Sequence, residues 1–119
     1  MRPLVACLCA AWCGSCRDYR ATFDALAAQF AGAVDFAWID VEDDADALGD
    51  VDVEDFPTLL IADAGGPRFV GAVTPQPGTA ERLIRGVLAG ELAVAGDAGL
   101  TDRVRALLAE RDDPPRDAA

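Results

Sequence analysis

The sequence predicts an α/β fold, a three-layer sandwich with a central mixed β-sheet of about four strands and helices on both faces. Three observations carry this expectation. Leu4 to Ala10 is a nearly unbroken apolar run containing Val5, Cys7 and Cys9, the pattern of a strand buried on both faces. From Cys13 the apolar spacing changes to Cys16, Tyr19, Phe23, Leu26, Ala27 and Phe30, the stripe of an amphipathic helix. Beyond Pro57, two short apolar runs flank Asp63, Ala64, Gly65 and Gly66, turn chemistry that predicts an antiparallel hairpin.

Each element follows in turn. The first strand should be central, because both of its faces are apolar. The helix after it carries Arg17, Asp18, Arg20 and Asp24 on its polar side, and Gly32 should end it. Val34 to Val41 reads as the next strand, with Val34, Phe36, Trp38 and Asp40 on one parity and Asp35, Ala37, Ile39 and Val41 on the other. Two strands joined by a helix make a right-handed βαβ unit. Thr58 to Ala62 and Arg68 to Val73 are the hairpin strands. Thr79 is the expected N-cap of a helix presenting Leu83, Ile84, Val87 and Leu88, with Gly86 and Gly90 tending to shorten it. A last helix, Thr101 to Arg111, offers Leu100, Val104, Leu107 and Leu108, and is expected on the same sheet face as the helix before it. Residues 112–119, with Pro114 and Pro115, read as a frayed tail. Residues 1–95 are thus expected to form the main domain, with 96–119 packed on it or appended to it.

Composition narrows the functional classes. A chain of 119 residues, 52% hydrophobic and 26% charged, is a single globular domain. Its net charge is −11, and all ten basic residues are arginine, so neither nucleic acid nor an anionic membrane is an expected partner. There is no histidine, which excludes Ser-His-Asp and Cys-His catalysis. The acidic residues show no convergent spacing, so thiol chemistry is the better expectation. The apolar run at the start is too short to span a bilayer and lacks the order of a secretory signal, which makes a cytoplasmic location and a monomer the expectation. Nine acidic residues lie between Asp40 and Asp55. Such a run ordinarily forms a solvated face, but this one leads straight to Pro57, and as an acidic rim it would favour basic partners.

The chemistry sits where the first strand becomes the first helix. Cys13 and Cys16, separated by Gly14 and Ser15, are close enough for one short disulfide loop. At a helix start, unpaired N–H groups and the positive end of the dipole favour negative charge, so an exposed Cys13 should be a nucleophile. Cys7 and Cys9 admit two readings: small core residues, or, with Cys13 and Cys16, four thiolate ligands for zinc or an iron–sulfur cluster.

Trp12-Cys13-Gly14-Ser15-Cys16 resembles the thioredoxin active site, Trp-Cys-Gly-Pro-Cys, and Phe56-Pro57-Thr58 with Leu59, Leu60 and Ile61 resembles the family's cis-proline loop and the strand after it. The resemblance covers residues 4–92. It implies a thiol–disulfide oxidoreductase, with Cys13 attacking and Cys16 resolving. It implies that Trp12, Gly14, Ser15, Phe56, Pro57 and Thr58 contact the substrate, with a cis bond before Pro57. No metal and no cofactor are implied beyond a redox-active Cys13–Cys16 disulfide. The implied partners are protein disulfides, and an electron donor such as a thioredoxin reductase. A protein-binding module that keeps the fold without the activity is the alternative. The departures are specific. Cys7 stands where the family has a buried aspartate, Trp38 where it has a lysine, Ser15 for the motif's proline and Ala21 for a kinking proline, and the usual N-terminal strand and helix are lacking ahead of Leu4.

Overall fold

The computed structural model describes residues 2–10, 12–44, 57–74, 76–94 and 98–111. Four strands form one sheet: β1 (Leu4–Cys9), β2 (Asp35–Asp40), β3 (Thr58–Asp63) and β4 (Gly66–Ala72), in the order β2-β1-β3-β4. β1 pairs in parallel with β2, from Leu4 opposite Asp35 to Cys9 opposite Asp40. It pairs antiparallel with β3, from Leu4 opposite Ala62 to Leu8 opposite Thr58. β4 closes the hairpin on β3, and Gly66 at the turn takes φ +121°, a conformation open to glycine but costly for a side chain. Every residue of β1 is buried, as its continuous apolar character requires.

Alternation along β1 sorts the core into two layers. Val5, Cys7 and Cys9 face α1 (Gly14–Gln29) and α2 (Pro77–Leu88), together with Phe36, Leu59 and Ile61. Leu4, Ala6 and Leu8 face the opposite way and are covered, with Ala37, Ile39 and Leu60, by Leu100 and Val104 of α3 (Ala98–Arg111). The expected helix stripe on α1 is buried in full, Phe23 completely and Phe30 to 6% exposure.

Three expectations are corrected. α3 lies on the sheet face opposite α2, because α1 and α2 already fill one face and the apolar residues of the other need a cover. α2 begins at Pro77 after Gln76, so Thr79 lies inside it; proline suits the first helical position because its fixed φ is already helical and the N–H it lacks would have no partner there. Gly86 does not shorten α2, which runs on to Leu88. The acidic run from position 45 onward, Phe56 with the peptide bond to Pro57, and the C-terminal tail lie outside the described residues.

Candidate active site

The carboxyl ends of β1 and β2 and the start of α1 converge at one end of the sheet. A tight turn, in which the Cys13 N–H donates to the Ala10 carbonyl at 3.0 Å, folds α1 back over the strand it has just left. Cys13 occupies the N-cap position with extended φ −85° and ψ 120°, and its side chain makes no capping hydrogen bond. It is a free thiol, partly exposed and packed against the core layer beneath α1. Gly14 and Ser15 are exposed in the first turn, and Cys16 is the first buried residue of the helix.

In this structure Cys16 is joined to Cys9, with the Cα atoms 5.8 Å apart, inside the range a disulfide spans, and Cys13 is left as a thiol. The reason is geometric. Cys9 ends β1 on the face that α1 covers, and Cys16 is the α1 residue that turns back onto that face. Cys9 is therefore not simply a packing residue. Cys7 is a fully buried free thiol with its Sγ 3.4 Å from that of Cys9. Since Cys9 carries no hydrogen in the disulfide, the Cys7 S–H is the donor.

Burial pushes the Cys7 thiol up from 9.0 to about 12, against a smaller opposite pull from the Arg20 guanidinium. Arg20 stacks 4.6 Å over the Trp38 ring, and Trp38 in turn meets Phe23 edge to face at 5.5 Å. Tyr19 is also buried, with no hydrogen-bond partner for its hydroxyl among the described residues. Burial, and then the Cys7 sulfur, push that phenol to about 12. The layer beneath Cys16 therefore holds neutral groups at neutral pH.

Trp12, Pro57 and Thr58 fall at the same end. Trp12 is 64% exposed, and its indole N–H donates to Glu42 in the turn after β2. Glu42 was not singled out beforehand; only its membership of the acidic run hinted at it. Thr58 and Pro57 are buried, and the Pro57 carbonyl accepts from the Val73 N–H at 3.1 Å. Pro57 directly precedes Thr58, which pairs with Leu8, the neighbour of Cys9 on β1. Among the described residues, no group of three or more His, Cys, Asp or Glu side chains is arranged to hold a metal ion.

A family model described as Thioredoxin matches residues 2–84. Solved thioredoxins share the fold. The structure of Fasciola hepatica thioredoxin superposes with a TM-score of 0.63 at 26% identity, covering 71% of this chain and 79% of that one. Thioredoxin from Trypanosoma brucei brucei gives a TM-score of 0.64 at 25% identity, over 74% and 76% of the two chains. The germline-specific thioredoxin Deadhead of Drosophila melanogaster gives 0.65 at 19% identity, over 72% and 81%.

Proposed function

The chain belongs to the thioredoxin family, and from that premise we propose that it is a thiol–disulfide oxidoreductase acting on protein disulfides through Cys13 and Cys16. The observation that carries this reading is the placement of two cysteines at the start of α1, Cys13 partly exposed and free, Cys16 buried one turn inside. A thiolate at Cys13 attacks a substrate sulfur, forming a mixed disulfide and expelling the first substrate thiol. Cys16 then attacks the Cys13 sulfur and expels the second. The first helical N–H groups, which have no partner within the helix, lie beside the charge that forms on Cys13.

Substrate binding falls to the surface around Cys13. Exposed Trp12 offers an apolar plate, Gly14 and Ser15 leave space and a donor, and Pro57 and Thr58 flank the other side; in this reading Phe56 joins them, and a cis bond before Pro57 leaves backbone there to pair with an extended substrate. Glu42 and the acidic run favour basic substrates. A dithiol acting as a reductant needs a donor, such as a thioredoxin reductase, and a reducing compartment such as the cytoplasm. The protein works in this reading as a monomer without a cofactor.

The test is reduction of insulin disulfides under dithiothreitol. The protein should accelerate it over dithiothreitol alone, Cys13→Ser should abolish the acceleration, and Cys16→Ser should accumulate mixed disulfides on Cys13. No acceleration by the parent protein overturns the reading.

A further inference from the structure

Cys16 has two candidate partners at one site: Cys13 on the solvent side and Cys9 on the strand side. The second pairing is the one formed, and it leaves Cys13 a free thiol. We propose that Cys9 is a second resolving thiol, which takes Cys16 over from Cys13 and stores the oxidising equivalent in a buried Cys9–Cys16 disulfide. The proposal rests on the oxidoreductase reading for the entry of that equivalent at Cys13.

The chemistry balances. Once Cys16 has released the substrate, Cys13 and Cys16 are joined. The Cys9 sulfur attacks Cys16 Sγ, the Cys9–Cys16 bond forms, the Cys13–Cys16 bond breaks, and the electron pair leaves on Cys13. Cys9 gives up a proton and Cys13, open to solvent, takes one up, so the step itself is neither oxidation nor reduction. Over the whole sequence one substrate disulfide becomes two thiols, and the Cys9 and Cys16 thiols become one disulfide.

Three features favour the inward transfer. Cys9 and Cys16 are each 1% exposed, so the stored disulfide is shielded from other thiols. Cys7, with its Sγ 3.4 Å from that of Cys9, supplies an S–H donor to the attacking sulfur. Cys13 lies against the same core layer, which makes it the solvent-side route by which the buried disulfide is opened again. The consequence is an oxidised form that still displays one reactive thiol.

Native alkylation reads this directly. Protein oxidised to one disulfide per chain is treated with iodoacetamide without denaturant, and adducts are counted by intact mass. The proposal expects one adduct on most chains, at Cys13, and none on oxidised Cys9→Ala, where Cys16 can pair only with Cys13. An oxidised parent protein with no adduct on most chains has Cys13 in its disulfide and overturns the proposal. Should Cys9→Ala fail to fold, Cys13→Ser refolded through a glutathione buffer decides: loss of two hydrogens, with the bond located between Cys9 and Cys16 by fragmentation mass spectrometry, supports it, and retention of all remaining thiols or a bond to Cys7 refutes it. Insulin reduction is scored separately, so an inactive protein with one adduct sinks the oxidoreductase reading and not the pairing.

Discussion

Replacing Cys7 by alanine should destabilise the protein at neutral pH and stabilise it in alkali. The Cys7 side chain is fully buried, and deleting its sulfur costs about 1 kcal/mol in lost burial and cavity formation. Its thiol titrates near 9.0 in an unfolded chain and is pushed up to about 12 by burial in the folded one. A group raised in this way contributes its full stability below the unfolded value and loses it as the pH climbs toward the folded one. In that window the unfolded chain has given up the proton and the folded chain keeps it. Parent stability should then fall relative to the variant by about 1.4 kcal/mol per pH unit. The two stabilities should cross near pH ~10, and by pH ~11 the variant should lead by about 1.5 kcal/mol. Urea unfolding of both proteins in a Tyr19→Phe background, fully reduced and held under reductant, measures the difference, because the phenol coupled to Cys7 is then absent and the ionisable groups away from Cys7 are common to both and cancel. A difference that stays constant from neutral pH to pH ~11 would mean that the folded thiol titrates at its ordinary value, and the burial argument would fail.

Three further substitutions test the core on either side of the sheet. Tyr19→Phe removes a buried hydroxyl with no partner among the described residues, so stability should hold or rise by about 1 kcal/mol in thermal unfolding; a fall of that size would reveal a hydrogen bond worth keeping. Val104→Ala should cost about 2 kcal/mol in urea unfolding, because Val104 is fully buried where α3 covers the second face, whereas Leu88→Ala at a 44% exposed position should cost less than about 0.5 kcal/mol. Equal, small effects at both positions would make α3 an appendage.

How much of this was legible beforehand divides along local and non-local lines. The burial of β1, the stripe on α1 and the hairpin from Thr58 follow from periodicity, which is a local property, and each stands in the structure. The stripe on α3 announced an apolar face but not which sheet face it would meet, since that depends on the volume α1 and α2 leave uncovered. The closeness of Cys9 to Cys16 is non-local for a similar reason. Spacing along the chain favoured Cys13, yet the turn closed by the Cys13 N–H and the Ala10 carbonyl swings α1 back over β1. The signal was nonetheless present: Cys9 shares the parity of Val5 and Cys7, and Cys16 opens the buried stripe that must face it.

The substitutions that set this chain apart from the usual motif are also mutually consistent. A carboxylate at position 7 would hold a charge behind Cys16 and could accept its proton. Cys7, kept neutral by burial, cannot do so near neutral pH, and Trp38 on the neighbouring strand supplies an aromatic face for Arg20 in place of a second charge. Release of the substrate without that base is helped by a later step that pulls the Cys13–Cys16 disulfide forward. Placing Cys9 against Cys16, with the Cys7 S–H donating to it, supplies one. In this chain the strand behind the resolving cysteine acts one step later than a carboxylate would, offering a sulfur to Cys16 after the substrate has left, and the same apolar packing that disfavours the charge brings the two sulfurs together.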